Sequence, residues 1–368
     1  MEIHEGGKIA MTPRVKMETL SDLRMIYTPG VAQACNYILE NPEAARKYTS
    51  IGNTVCIATN GSAVLGLGNI GVLAGMPVME GKSVILNKMA GVSCIPILID
   101  SNDADRIVDT LETISKTFGI IMIEDIGAPL CFEVEEKLEE RVSIPVFHDD
   151  QHGTATVILA ALIKTLKVTG KKMEKVRIII NGAGAAGIAT CRMLLEYGFM
   201  NIVICDRKGA LYRGRKENMN PYKKAIAALT NEACERGTLK EVIEKKDIFI
   251  GVSSPNLVSK DMVRSMNKAP IVFALANPVP EIFIQDATDA GAAMALDGRT
   301  INNCLVFPGL IRGALDACAS RITYSMKFRA AEVLASLAGK HEIVPNFMLQ
   351  TIHRRIAEEV RGAALETC

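Results

Sequence analysis

Residues 176–206 read VRIIIN, GAGAAG, IATCRMLLEYGFM and NIVICD in succession, and no other stretch restricts the fold as tightly. An apolar run leads into Gly182-Ala183-Gly184-Ala185-Ala186-Gly187. A helix with small residues in its first turn follows, and a second apolar run ends in Asp206. G-x-G-x-x-G between a strand and a helix, with an acid about 20 residues on, is the fingerprint of a dinucleotide-binding βαβ unit. Glycine lets the backbone approach a pyrophosphate, whose charge sits against the helix N-terminus. Gly182, Gly184, Ala185, Ala186 and Gly187 are therefore the expected cofactor turn, and Asp206 the expected ribose partner, which favours NAD. Arg207 and Lys208 follow at once. They suit a 2′-phosphate as well as a solvated loop, so NAD and NADP both stay open.

A second G-x-G-x-x-G, Gly66-Leu67-Gly68-Asn69-Ile70-Gly71, lacks that context. No acid follows at the proper distance, and Gly75 and Pro77 are expected to deny it a long helix. It reads as a structural turn.

Apolar runs alternate with helical spacing along the chain. VCIATN, SVIL, CIPILID, IIMIED and PVFHDD read as short buried strands, with helices over NDADRIVDTLETISKTFG and CFEVEEKLEERV. After HDDQHGT a long helix closes on Gly170, and VRIIIN, NIVICD, DIFIGV, IVFALAN and AAMALDG form a second strand series. The alternation predicts parallel βαβ units and an α/β fold of two domains. The first, residues 1–150, is α/β. The second, residues 151–325, is a Rossmann-type, doubly wound NAD(P)-binding domain. Residues 326–368 are read as a helical tail folding back on the first domain.

The 368 residues are too many for one small core. A net charge of +1 gives no basic field to gather nucleic acid or an acidic membrane surface. No apolar segment is long and uninterrupted enough to span a bilayer. The start, MEIHEGGKIA, has neither the basic flank nor the apolar core of a signal peptide. Ten scattered cysteines, Cys368 among them, contain no C-x-x-C pair and read as structural thiols in a reducing cytoplasm.

IIMIED and PVFHDD both end in adjacent carboxylates at the carboxyl end of an expected parallel strand, the edge where open α/β sheets bind ligands. One such pair alone reads as a helix cap. Two pairs on one edge repel each other unless neutralised, and oxygen-rich sets suit hard ions such as Mg²⁺ or Mn²⁺. His148 and His152 flank the second pair, but a helix opening at HDDQHG keeps them from sharing a face. They read as supporting groups and not as ligands.

IYTPGVA (26–32), AVLGLGNIG (63–71), GMPVMEGK (75–82), IEDIGAP (123–129), PVFHDDQHGTA (145–155), NGAGAAG (181–187), ALANPVPE (274–281) and NNCLVFPG (302–309) come in one order. In this the chain resembles the malic enzyme family in its short bacterial form. The resemblance implies oxidative decarboxylation of L-malate to pyruvate and CO₂, with NAD or NADP, a divalent metal, and at least a homodimer. It also implies roles: Tyr27 as general acid, Lys82 of the E-G-K turn as general base, and Asp149 supporting the proton relay. Glu124, Asp125 and Asp150 would hold the metal. Asn277, Asn302 and Asn303 would contact the substrate, Asn277 lying against the cofactor as well. A lysine serves as base only where its site lowers its pKa.

The chain departs from that pattern in places. Small malic enzymes commonly carry an acid where Asn60 stands, a lysine at Asn87 and an aspartate at Ser93, with Lys88 one position off and a competing candidate for the base. These departures leave two other readings alive: a malolactic-type enzyme releasing lactate, and a weakly active metabolite sensor.

Overall fold

In the computed structural model, residues 1–368 are described except Leu65, His341, Thr367 and Cys368. The thiol expected to be structural at Cys368 thus lies outside the described residues.

The chain opens with an arm of short helices, α1 (Leu20–Ile26), α2 (Val31–Glu40) and α3 (Ala45–Tyr48). The first sheet follows: β1 (Thr54–Thr59), α4 (Gly71–Ala90), β2 (Ser93–Leu98), α5 (Ala104–Ile114), β3 (Ile120–Ile123), α6 (Leu130–Arg141) and β4 (Val146–His148). Its four strands run parallel in the order β2-β1-β3-β4. The order reverses between β1 and β3, which places the ligand crevice beyond their carboxyl ends. β1 and β3 are buried throughout, which is why they read as continuous apolar runs.

A π-helical turn, Asp149–Gly153, runs straight into α7 (Thr154–Thr169), which ends on Gly170 in the left-handed region at φ 68°. The second sheet is built from β5 (Arg177–Asn181), α8 (Ala185–Tyr197), β6 (Asn201–Asp206), β7 (Gly209–Ala210), α9 (Pro221–Leu229), α10 (Leu239–Val242), β8 (Ile248–Gly251), α11 (Lys260–Ser265), β9 (Ile271–Ala274), α12 (Ile284–Asp289) and β10 (Met294–Asp297). Its order, β10-β9-β8-β5-β6-β7, is the doubly wound one, with β7 a two-residue antiparallel edge. The crevice here lies between β5 and β8, directly above Gly182.

Three helices close the chain: α13 (Phe307–Asp316), α14 (Tyr324–Leu337) and α15 (Gln350–Glu366). The tail does not simply fold back on the first sheet. α14 packs along α7 and α15 along α13, with α15 also reaching α4. One apolar core therefore runs without a break from the first sheet through these helices to the second.

Two sequence expectations fail in α4. SVIL (83–86) is not a strand, and Gly75 and Pro77 do not prevent a helix, since α4 runs for 20 residues through both. Its buried positions, Gly75, Met79, Ser83 and Leu86, fall on one helical face. Pro77 faces solvent, as does Leu73 four residues earlier, so the carbonyl that Pro77 leaves without a donor meets water. Gly75 lies on the inner face, where a Cβ would sit 3.7 Å from the Gly61 backbone in ordinary contact, so α4 passes through it without strain.

Candidate active site

Lys82 lies on α4, not on a turn as expected, and points at the carboxyl edge of the first sheet. Its Nζ is 2.5 Å from Asp149 Oδ2 and 3.1 Å from Glu124 Oε1. The ammonium also stands 4.7 Å over the ring of Phe307. Asn303 donates to the same Asp149 oxygen at 2.6 Å. Asp149 thus receives one donor from the first domain and one from the segment after the second sheet, and the two halves of the chain meet on its carboxylate.

The π-turn explains how Asp149 comes to be there. A Cβ at Gly153 would lie 1.8 Å from Asp149 Oδ1, so only glycine lets the carboxylate fold back over its own turn. Asp150, next in sequence, is turned the other way and accepts from the Asp125 amide at 2.8 Å. Asp125 itself sits at φ 52°, a strained value for a residue other than glycine, of the kind that clusters at functional sites. Its carbonyl is held by Ala63 N at 2.9 Å.

Burial governs the electrostatics. It pushes the Glu124 carboxyl well above the ordinary carboxylate range; the Lys82 ammonium pulls back, while Asp149, Asp150 and Asp125 push further. Burial likewise raises Asp125, to about 7, with Asp150 adding to it, and it raises Asp149 despite Lys82. For Lys82 burial works downward, but the carboxylates of Asp149 and Glu124 outweigh it and hold the ammonium above its usual value. The sequence expectation of a lowered lysine is therefore reversed in the chain by itself.

Among the described residues no group of three or more His, Cys, Asp or Glu side chains forms a ready-made cation site. Asp150 is occupied with the Asp125 amide, and Lys82 supplies the positive charge that Glu124 faces. The donor set still fits a hard divalent ion. Asp149 Oδ1 is a buried oxygen without a hydrogen bond, Glu124 Oε1 faces only the Lys82 ammonium, and the raised carboxyls are those a cation would bring back down.

The remaining expected residues are placed unequally. Asn303 is in the cluster. Asn302 spends its side-chain oxygen on the Cys304 amide as a helix cap. Asn277 follows β9 and turns its amide to its own segment, donating to Leu275 O at 3.3 Å. The Gly66 turn approaches it, a Cβ there lying 3.1 Å from Pro278 Cδ. Tyr27 is not brought in: it lies on the arm and is 68% exposed.

His148 and His152 are not paired on one face. His152 Nε2 meets Glu135 Oε1 at 2.9 Å, and Lys327 Nζ donates to His152 Nδ1 at 3.0 Å. Gln151 Nε2 donates to Glu135 Oε2 at 2.6 Å. Glu135, His152 and Lys327 thereby brace the π-turn from behind, and sequence reasoning missed the first and last. The signal was there: Glu135 shares a helix face with Cys131, Val134 and Leu138, and Lys327 one with Ala330, Ala331 and Leu334. A charge on an apolar stripe needs a buried partner.

The departures from the family pattern lie elsewhere. Asn60 donates to Ser101 O and Asn102 Oδ1 and accepts from Ser62 N, a set an aspartate cannot satisfy. Asn87 and Lys88 are exposed at the C-terminal end of α4, not on a strand. Ser93 opens β2, at the edge of the sheet opposite the carboxylates.

In the second domain a cleft of about 410 Å³ is lined by Asn181, Gly182, Gly184, Asp206, Arg207 and Lys223 among others. A Cβ on Gly187 would lie 1.6 Å from Gly182 O, and one on Gly182 would lie 2.6 Å from Val252 O, so both glycines serve close packing. A Cβ on Gly184 meets nothing within 4 Å, which leaves open the space a pyrophosphate requires. Ala185 and Ala186 start α8. Asp206 accepts from Arg215 at 2.7 Å, Lys223 at 2.7 Å, Asn218 at 2.8 Å and the Lys208 amide at 2.9 Å. Burial alone would raise its carboxyl, but the hydrogen bonds from Lys223 and Arg215 hold it below the ordinary range.

Two family profiles match the chain, "Malic enzyme, N-terminal domain" over residues 6–139 and "Malic enzyme, NAD binding domain" over 151–365. The bifunctional malic/malolactic enzyme of Bacillus subtilis is 46% identical, covering 98% of this chain and 90% of the relative. The NADP-dependent malic enzyme of Haemophilus influenzae is also 46% identical, over 92% of this chain and 46% of its own length. The crystal structure of the NAD-dependent malic enzyme of Thermotoga maritima superposes with a TM-score of 0.95 at 40% identity, covering 98% of both chains.

Proposed function

This chain belongs to the malic enzyme family, and we propose that the cluster around Lys82 and Asp149 is where it works on L-malate. The reaction is oxidative decarboxylation to pyruvate and CO₂, with NAD or NADP accepting the hydride. One observation carries the placement: the buried ammonium of Lys82 shares the Asp149 carboxylate with Asn303, at the seam between the carboxylate edge and the dinucleotide domain.

Residues 1–150 are read as the substrate and metal half, 151–325 as the dinucleotide half and 326–368 as the helical brace. Glu124, Asp125 and Asp150 would hold Mg²⁺ or Mn²⁺, which when bound polarises the C2 oxygen of malate and the later carbonyl. Lys82, once its carboxylate neighbours are neutralised, gives up its proton and then accepts one from the C2 hydroxyl. Asp149 fixes the Nζ atom and carries the proton onward. Asn303 keeps Asp149 from turning away, while Asn277 and Asn302 line the substrate side of the seam. The cleft lined by Gly182 and Gly184 would hold the dinucleotide, which would supply the hydride acceptor, with Asp206 and Arg207 at its adenosine end. After CO₂ departs, the enol carbon needs a proton, and Tyr27 is the acid assigned to it; a phenol stays protonated at neutral pH.

No helix among the described residues is long and apolar enough to cross a membrane. The nine described cysteines are free, in keeping with a reducing cytoplasm. We expect no nucleic-acid partner, and a homodimer or larger assembly. The departures at Asn60, Asn87 and Ser93 are satisfied away from the carboxylates, so they give the sensor reading no support.

The similarity to a bifunctional malic/malolactic relative supports a second reading in which the product is lactate. Product analysis separates the two: pyruvate with reduced cofactor, or lactate with none.

A further inference from the structure

Glu281 closes the stretch ALANPVPE and is completely buried, yet no cation offsets its charge. A carboxylate is costly to bury in this way unless its oxygens are hydrogen-bonded. Here both are. Oε1 accepts from the Ser253 amide at 3.1 Å and Oε2 from the Ala276 amide at 3.0 Å. Burial raises the carboxyl, and those two amides pull it back.

The two amides belong to different strand tips. Ser253 lies two residues beyond β8 and lines the cleft above Gly182, together with Val252, Ser254 and Leu257. Ala276 lies two residues beyond β9, directly before Asn277. The backbone repeats the tie: Asn256 N donates to Pro280 O and Val258 N to Glu281 O, each at 3.0 Å. On the far side Asn181, the last residue of β5, donates to Ser253 Oγ at 2.8 Å. The carboxyl ends of the neighbouring strands β5, β8 and β9 are thus joined through one buried side chain. Gly251 makes room for it, since a Cβ there would lie 2.4 Å from Glu281 Cδ. An apolar side chain would fill the same space without burying a charge, so what the carboxylate adds is the fixed direction of two amides.

We propose that Glu281 is a positioning residue that holds the Ser253 loop and the Asn277 segment in one fixed relation, so that the dinucleotide cleft and the substrate side of the seam keep the spacing the reaction needs. This rests on the reading of the cleft as the dinucleotide site and of Asn277 as a substrate contact. A carboxylate suits the task because it accepts on both oxygens at once, whereas a glutamine accepts on one and turns a donor toward the other amide. Misplacement by about 1 Å at a reacting centre can cost on the order of 10²-fold in rate, and that is the error such a brace prevents.

Two variants test this in the full-length protein. Glu281→Gln breaks one of the two amide bonds. Gly251→Ala keeps the charge but pushes the carboxylate aside with its new Cβ, and it decides the matter by itself if the first variant does not fold. Binding of NAD and of NADP is measured by calorimetry without malate or metal. Turnover of L-malate is then compared with that of L-malate deuterated at C2. In variants that melt cooperatively, the Kd of the better-bound cofactor should rise about 10–100-fold, the worth of a hydrogen bond to a charged group. The malate KM should rise with it, and the deuterium isotope effect on kcat should grow, which a mere loss of folded enzyme does not produce. An unchanged Kd and isotope effect alongside a lower melting temperature would overturn the proposal and leave Glu281 a core residue. A change confined to cofactor binding, or to the malate steps, would overturn it as well, since the carboxylate would then serve one tip only. Wild-type protein that binds neither cofactor would remove the reading of the cleft, and the proposal with it.

Discussion

Lys82 Nζ and Asp149 Oδ2 lie 2.5 Å apart, although one residue stands on a helix and the other on the first residue of a π-turn, 67 positions later. Lys82→Ala should lower malate oxidation about 10²–10⁴-fold, the usual worth of a positioned proton acceptor. Small primary amines added to the assay should restore part of the rate. Lys88→Ala should stay close to wild type, since Lys88 is exposed at the far end of α4. Greater damage at Lys88, with amine rescue there, would move the base away from Lys82.

Metal binding should follow the carboxylates. Glu124→Gln and Asp150→Asn should each nearly abolish turnover and raise the Mn²⁺ concentration needed for what remains, with the circular dichroism spectrum unchanged. Wild-type metal dependence in either variant would dismiss that residue as a ligand.

Those same carboxylates should leave a mark on stability. The folded-state pKa of Asp125 is raised to about 7 and that of Glu124 is raised as well, so the fold binds more protons there than the unfolded chain. Stability from these groups is full below their unfolded values and is lost as pH rises toward 7. In chelator, the melting temperature should therefore fall with rising pH over this window, less so in Glu124→Gln, and Mn²⁺ should raise it more at pH 7 than at pH 5. An equal Mn²⁺ effect at both would contradict the site.

Glu135 gives the opposite sign. Burial opposes its charge, but His152 and the other cations around it hold its carboxyl down to about 2. That stability is present above the ordinary carboxylate value and disappears as pH falls toward 2. Glu135→Ala breaks the buried pair with His152 from one side and should cost about 3–5 kcal/mol by denaturant titration. A loss below 1 kcal/mol would mean that Glu135, His152 and Lys327 do not brace the π-turn.

The two inner glycines of the fingerprint should separate binding from folding. Gly184→Val should raise the cofactor KM steeply with little change in stability, since only the pyrophosphate space is filled. Gly187→Ala should destabilise the protein, because its Cβ meets the Gly182 carbonyl. Arg207→Ala should raise the KM for NADP more than that for NAD. Equal effects on both cofactors would remove Arg207 from the 2′-phosphate.

Much of this was legible in the residues. The strand and helix flanking Gly182–Gly187 fixed the second sheet, because a fingerprint with all its context has few other folds to enter. The paired acids after β3 and β4 marked the site edge for the same reason, two charges at each strand tip being costly anywhere else. Gly75 and Pro77 break helices on average, whereas here packing of one buried face carries α4 through both, with Gly75 on that face and Pro77 on the exposed one. Glu135 and Lys327 stayed hidden because their stripes read as apolar, and their meeting on His152 exists only in three dimensions. The position of Tyr27 on an exposed arm had no signature at all, since a motif names a residue without saying where the fold carries it.

The most direct measurement is the appearance of reduced nicotinamide in purified protein given L-malate, Mn²⁺, and NAD or NADP in turn, with the product identified in the same tube. Reduction with at least one cofactor, equal in amount to the pyruvate formed and lost on chelation, is the expected result. No reduction with either cofactor, and no lactate in its place, would contradict the assignment of this site to malate.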